Sequence, residues 1–457
     1  MVGPFGWLPP YDDAYITLTS AQALWSGSIL NYPGTPALSG LTSPAHVLLV
    51  AVLLPVMAPL TALWVSQLAG MLLYGSGLWS LARSWALPPS QAVWVMVIGL
   101  TAGMVPHHLF NGLETGLALA AVTWAIALAV QRSAFAPVLF GILPFVRPEF
   151  VILAAALAAW SVYGSPRNQW LRTGALMTVG ALPFVAFLFW QLGGIVPTSA
   201  STKAAFVADR CLPAQVKAAV TIAALMQWAF AIGPLALGLI GAWRAKIVQV
   251  CAVAYAVALL AYTWELPSHL LRYHHQRYLY GWFPIFLLGA LALLHGQRKS
   301  LNLVLPIAAA LGLVRLPAVW QTHREWNMAF HAEQHAIVEW LHGHVPARSR
   351  LMVIDAGFLA YATDYPLVDA VGLKTPASSD VHQRLTLPSC GTARGQALAV
   401  IAKTSAAEYF VSWGEWESSL RLAEQMRDAG ARAEEVRQRP LSVHMDWWYP
   451  VFRLSVP

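Results

Sequence analysis

Charged side chains are scarce in this sequence: they make up 11% of its 457 residues, against 58% that are hydrophobic, where a water-solvated chain carries about 25%. That excludes an ordinary soluble surface and places the chain in a bilayer. Cysteine is also sparse. Cys211, Cys251 and Cys390 form no metal-binding or redox spacing. Cys251 lies in an apolar run, where it packs, and Cys211 would pair with Cys390 only if both face an oxidising compartment. A Walker loop, a strand-linked GxGxxG and a GxSxG elbow are missing, which leaves nucleotide-driven transport and serine hydrolysis without support. The opening MVGPFGWLPP lacks the basic and apolar regions of a cleavable signal peptide. The net charge of +7 is scattered through short loops rather than massed on one face, so it argues topology and no nucleic-acid partner.

Long apolar runs fill positions 44 to 317, and each is long enough to approach the roughly 30 Å of a hydrocarbon core as helix. Ten candidate spans follow: 62–84, 90–106, 114–131, 135–147, 149–163, 172–192, 216–242, 246–264, 278–296 and 300–317. The stretch 44–57 is short and bounded by Pro44 and Pro59, and it reads as an interfacial helix in contact with membrane lipid. After Leu316 charge and histidine become frequent and the apolar runs shorten to strand length. The expected fold is therefore mainly α: a polytopic helix bundle over 1–317, with 1–61 as an external loop and interfacial helices, then a small external α/β domain over 318–457.

With ten spans, one set of loops carries Arg83, Arg132, Arg167 with Arg172, Arg244 with Lys246, and Arg298 with Lys299, and no acidic residue. The positive-inside rule makes that set cytoplasmic. The opposite set holds Asp12-Asp13, PHHLFNGLE, the RPE break, GGIVPTSASTK, RYHHQRY and the tail. Every unusual polar segment thus falls on one external face, which in a cell inner membrane is periplasmic. The runs flanking Arg147-Pro148-Glu149 are too short for comfortable spans and predict a helix pair broken at Pro148, with ionisable groups lining a cavity at depth.

Each polar residue has two readings. Asp12 or Asp13 can cap the amphipathic helix that follows, or serve as a carboxylate base or metal ligand for activating a hydroxyl. Glu114 either favours the positive end of its helix or faces a substrate. Arg147 and Glu149 either pair with each other or, through the planar fork of Arg147, meet a phosphate. Lys203 sits in a hydroxyl-rich loop that is either ordinary solvated chain or a clamp on a lipid phosphate. Arg272 and Arg277, with His274 and His275, suit an anionic head group or interfacial snorkelling. His331 and His335 have the helical spacing of a zinc motif, but Ala332 stands where the metalloprotease glutamate belongs. They read, with His342 and His344, as a solvated helix.

The runs DDAYITLTSAQALWSG, LSGLTSPAH, FNGLETGLALA, LPFVRPEF, VPTSASTK, RYLYGWFP and, in the tail, VIDAGFLAYATDYPLVDAVGL together resemble the C-type (GT-C) membrane glycosyltransferases, most nearly the arabinofuranosyltransferase-like branch. The resemblance covers most of the chain in order. It implies an enzyme that transfers a sugar, a pentofuranose in that branch, from a polyprenyl-phosphate donor to a cell-envelope glycan, lipid or protein acceptor on the outer face. It further implies a catalytic pair at Asp12 and Asp13, often with a divalent cation (Mg, Mn or Ca) on them. Glu114, Arg147, Glu149, Lys203, Arg272 and Arg277 would line the donor side. Asp355 and Asp369 look like fold determinants of a domain that would hold the acceptor. The family places a spanning helix before the acidic pair, where this chain has eleven residues. A lipid-linked glycan flippase and an inactive scaffold are the competing readings. Paired inverted repeats with matched breaks would favour the flippase, and only the break at Pro148 is visible.

Overall fold

The computed structural model describes residues 9, 11–195, 198–265, 271–439 and 448–455. The opening segment read for a signal peptide, apart from Pro9, and Val196-Pro197 of the hydroxyl-rich loop lie outside the described residues. The membrane half runs through helices α1 (Asp12–Ser26), α2 (Pro44–Leu53), α3 (Pro59–Ser84), α4 (Pro89–Thr101), α5 (Val105–Leu109), α6 (Thr115–Val130), α7 (Ala136–Val146) and α8 (Phe150–Val162). It continues with α9 (Arg167–Leu192), α10 (Ser199–Val207), α11 (Ala214–Ile232), α12 (Lys246–Glu265), α13 (Tyr273–Tyr280) and α14 (Phe283–Leu294), and ends in α15 (Arg298–His344). The break at Pro148 is present: α7 ends at Val146 and α8 starts at Phe150, with Arg147 in an extended conformation between them.

Ten spans were expected. Among the described residues four helices are long and apolar enough to cross a membrane, at 167–192, 214–243, 246–264 and 300–344, or up to five if the α13–α14 pair, bent by 58°, is one span. Part of the difference is one of backbone geometry, while α3, with 26 residues, is long enough and falls short in apolarity. The apolar runs continue through helix ends, so α4, α7 and α8 have only 13, 11 and 13 helical residues, about 20 Å or less at 1.5 Å per residue. The run 300–317 is also the start of a 47-residue helix, which passes position 317 without a break.

On α9, Trp170 and Trp190 are exposed near the two ends, with Val179, Leu182 and Phe189 exposed between them. Twenty residues of helix span about 30 Å, which matches a hydrocarbon core bounded by interfacial tryptophans. Helices approach closely where glycine allows it. A Cβ on Gly238 would lie 1.9 Å from the Phe286 carbonyl oxygen, and one on Gly289 2.0 Å from that of Gly238, the small-residue contact that lets helices pack in lipid.

The tail forms a mixed five-stranded sheet, ordered β2-β1-β3-β5-β4, from β1 (Leu351–Val353), β2 (Leu367–Asp369), β3 (Tyr409–Val411), β4 (Arg432–Glu435) and β5 (Val451–Ser455). β1 is parallel to β2 and β3, and β5 is antiparallel to β3 and β4. α16 (Phe358–Ala362) follows β1, and α17 (Pro376–Arg384) and α18 (Arg394–Ser405) connect β2 to β3. Asp369 accepts the backbone N–H groups of Val371 and Lys374 and so shapes the turn after β2, the fold-determining role expected of it.

This domain is fastened to the membrane half at several points. The Asn31 amide donates to the carbonyls of Thr363 and Tyr365. The buried Lys374 ammonium donates to Ser20 Oγ (2.7 Å) and the Ala37 carbonyl (3.1 Å). Arg394 donates to the carbonyls of Phe206 and Val207 at the end of α10. Cys211 and Cys390 form a disulfide, while Cys251 is free and buried. The bridge joins the segment after α10 to the turn before α18, so both ends share one compartment. Cys211→Ser is expected to lower stability by about 2–4 kcal/mol. The check is thermal unfolding in detergent, where the variant should fall below the parent under oxidising conditions and match it after reduction; equal melting without reductant would contradict this.

Candidate functional site

The acidic pair opens α1, yet neither carboxylate caps it. Tyr11 is the N-cap residue and makes no side-chain capping bond. Adjacent helical residues point in different directions, and here the two carboxylates reach opposite partners. Asp12 turns to the tail: the Gly357 N–H donates to both of its oxygens (2.9 Å each) and the Phe358 N–H to Oδ1 (2.6 Å). Asp13 turns to the membrane half. Its Oδ2 lies 2.7 Å from Arg277 Nη2 and 3.6 Å from Lys203 Nζ.

The two carboxyls are driven apart electrically. Burial and the nearby Asp355 carboxylate raise Asp12 well above the ordinary carboxylate range, against the pull of the two backbone donors. Burial also pushes Asp13 up, but Lys203, Arg277 and His274 outweigh it and hold the group below its ordinary value. Asp13 is therefore ionised at any working pH.

Both residues line a cleft with a cavity volume of about 90 Å³ that opens to solvent. Its membrane-side wall is Tyr11, Lys203, His274, Arg277 and Tyr278, and its tail-side wall includes Ile354, Asp355, Val371, Leu373, Trp413 and Trp416. The hydroxyl-rich segment that carries Lys203 is helical, as α10, and its hydroxyls are used in docking: Ser199 meets Thr42 and Thr202 meets Ser379. Lys203, Phe206 and Val207 of this helix line the cleft. Arg277 is positioned by α13, in which His274, His275 and Gln276 hold left-handed backbone angles (φ 47°, 53° and 57°), a conformation that costs L-residues about 1–2 kcal/mol each. Arg277 is buried, and its Nε and Nη1 have no hydrogen-bond partner among the described residues.

Glu114, Arg147 and Glu149 do not line the cleft. Arg147 is wholly buried, with Nε 2.7 Å from Glu149 and Nη1 3.6 Å from Glu114, and its guanidinium stacks 4.7 Å from the centre of the Tyr278 ring. This ion cluster lies behind the cleft and touches it through the Arg277 carbonyl, which accepts from Arg147 Nη1 (3.5 Å). The reading in which Arg147 pairs with Glu149 is the one realised, because the α7–α8 break sets Glu149 beside the guanidinium and the start of α6 brings Glu114 to it. Arg272 is exposed and outside the cleft wall.

The acidic pair does not suit a divalent cation. Asp13 faces two cationic side chains and Asp12 two backbone donors, and no group of three or more His, Cys, Asp or Glu among the described residues could hold a metal ion. Two further features escaped the sequence reading. Beside the cleft, Tyr11 Oη lies 2.8 Å from His107 Nε2, and His107 Nδ1 lies 3.0 Å from His323 Nδ1, so His107 and His323 cannot both be protonated on these facing nitrogens. Asp355, expected to be structural, stands on the cleft wall and accepts a hydrogen bond from the Tyr449 hydroxyl (3.0 Å). Its place directly after a strand of a VIDAGF type was the available signal.

Residues 321–449 match the model of a domain of unknown function, DUF8728. No curated protein matches the chain. Among solved structures, ArnT from Cupriavidus metallidurans in the apo state superposes with a TM-score of 0.55 at 12% identity, over 96% of this chain and 92% of that one. The same enzyme bound to undecaprenyl phosphate gives 0.47 at 13% identity, over 96% and 93%. The archaeal oligosaccharyltransferase AglB from Archaeoglobus fulgidus, in complex with an inhibitory peptide and a dolichol-phosphate, gives 0.48 at 13%, over 90% and 66%. In its helical membrane half and its small sheet-bearing tail, the chain has a GT-C-like fold.

Proposed function

We propose that the chain is a membrane glycosyltransferase that takes a sugar from a polyprenyl phosphate in the cleft beside Asp13. The observation that carries this reading is the unpartnered face of Arg277. A buried guanidinium that spends Nη2 on Asp13 and leaves Nε and Nη1 without acceptors among the described residues keeps two charged donors for the oxygens of an anion. Lys203 adds a second cation at the same point. The fold agrees with this reading, and so do the apolar helices, which would keep a lipid carrier within reach.

In the reaction an acceptor hydroxyl attacks C1 of the sugar and gives its proton to a carboxylate of the cleft, the C1–O bond to phosphate breaks, and the electron pair leaves on the lipid phosphate. Arg277 and Lys203 stabilise the charge that grows there. Asp13 holds the two cations together before the donor arrives. Asp12 locks the tail over the cleft. No step needs a metal ion. By the positive-inside pattern the cleft faces the periplasm, and the acceptor is an envelope glycan, lipid or protein; a pentofuranose donor is the choice that the resemblance favours.

Asp12→Asn and Asp13→Asn chains, assayed separately in membranes for release of undecaprenyl phosphate from its glycosylated form, test the reading. Each is expected to lose about tenfold or more, because a charge-assisted contact contributes about 1.5–3 kcal/mol. Full activity in both variants would sink the mechanism.

A further inference from the structure

The tail domain presents its own ligand-binding edge to the cleft. Ile354 and Asp355 follow β1, Val371 and Leu373 follow β2, and Trp413 follows β3, so the tail-side wall is the carboxyl edge of the three parallel strands. In the order β2-β1-β3, the chain leaves β1 towards β2 and later returns to the opposite side of β1. The switch point therefore lies between β1 and β3, where open α/β sheets bind ligands just outside the strand ends. Asp355 and Trp413 flank that point.

Among the carboxylates of the cleft, Asp355 is the one left available. Asp12 is occupied by the two backbone donors, and Asp13 by two cations. Asp355 accepts only the Tyr449 hydroxyl on Oδ2, and Oδ1 has no hydrogen bond among the described residues. Trp416 lines the same wall, half-buried, and Trp413 packs 4.6 Å from the Tyr449 ring. Flat aromatic surface beside a single polar anchor is the composition of a pocket for an amphipathic ring, which a sugar presents.

We propose that this edge is the acceptor subsite, that it takes a hydroxyl-bearing glycan unit against Trp413 and Trp416, and that Asp355 is the general base. The proposal rests on the glycosyl-transfer reading above. The acceptor O–H proton passes to Asp355 Oδ1 as the oxygen bonds to C1, and the C1–O electron pair leaves with the lipid phosphate across the cleft. Burial, opposed by the Tyr449 hydrogen bond and joined by the neighbouring Asp13, Glu415 and Asp369 charges, raises Asp355 to about 7. The Asp12 carboxyl lies within reach of its charge, and Lys203 and Arg277 face it from the other wall. A base poised there is deprotonated above neutrality and still strong enough to accept the proton.

The test uses the full chain in nanodiscs with mannosyl-, glucosyl- and arabinofuranosyl-phosphoundecaprenol as donors, a membrane extract as acceptor source, and free undecaprenyl phosphate as the binding probe. The parent should release undecaprenyl phosphate at a rate that rises with pH through about 7 and then levels. Asp355→Asn should lose about 100-fold or more in kcat, lose the pH limb, and bind undecaprenyl phosphate as the parent does. Tyr449→Phe removes the donor that favours the carboxylate, so the limb should move up by about one pH unit with the plateau rate kept; a merely structural Tyr449 would leave the limb in place. Retained activity and an unchanged limb in Asp355→Asn would overturn the proposal. So would a parent that binds undecaprenyl phosphate yet transfers none of the sugars. A parent that does not bind undecaprenyl phosphate overturns the glycosyltransferase reading itself.

Discussion

Arg277→Gln is expected to weaken undecaprenyl phosphate binding by at least about 100-fold and to remove sugar transfer with it. Two donors, Nε and Nη1, are buried without acceptors among the described residues, and each charge-assisted bond to phosphate is worth about 1.5–3 kcal/mol; even the lower figure, counted twice, is about 100-fold. Glutamine also leaves Asp13 with Lys203 alone, at 3.6 Å, so the cleft turns less positive where the donor's charge must settle. Arg277→Lys separates charge from shape. Its ammonium replaces the charge but not the planar fork, and it should recover only part of the loss. Equilibrium binding of undecaprenyl phosphate to detergent-solubilised protein is the measurement. Affinity within threefold of the parent for Arg277→Gln would remove the main support for a phosphate site.

The second large effect concerns folding. Arg147→Met is expected to destabilise the membrane domain by about 3–5 kcal/mol, the usual result of removing one partner from a buried ion pair. The methionine fills much of the same volume, so the loss is electrostatic: Glu114 and Glu149, paired with Arg147 at 3.6 and 2.7 Å, are left facing each other with little water. The triple change Arg147→Met with Glu114→Gln and Glu149→Gln removes the stranded charges and should recover most of the stability. Thermal unfolding in detergent follows both. A single variant as stable as the parent would mean that the cluster is solvated and contributes nothing.

The legible parts of the fold were local ones. The break at Pro148 and the separation of a basic loop set from an acidic and histidine-rich one both depend on neighbouring residues. The gathering of Asp13, Lys203 and Arg277, from three distant segments, followed from that separation because every member had been placed on the same face. Several apolar runs extend past their helices because hydropathy does not register where a helix stops; Gly103, at φ +52°, lies just past the end of α4 inside one such run. Arg147 could not be assigned between its two readings, since its partner Glu114 comes from another helix start. Asp355 was read as structural because its position depends on strand order. Strands of three residues carry too little periodicity to reveal which of them are adjacent.

The clamp on Asp12 also sets a time at which the site can exist. Asp12 is bound by Gly357, 345 positions later, and the sheet that presents Gly357 has β5 between β3 and β4, so it cannot close until residue 455 has been made. At about 5–20 residues per second, the ribosome reaches Gly357 roughly 20–70 s after Asp12 and the last strand several seconds later. Throughout that interval the helices enter the bilayer with the two carboxylates unclamped and no tail-side wall opposite them. The two walls of the cleft therefore meet only after the last strand has been made, and the chamber closes as the final event of synthesis.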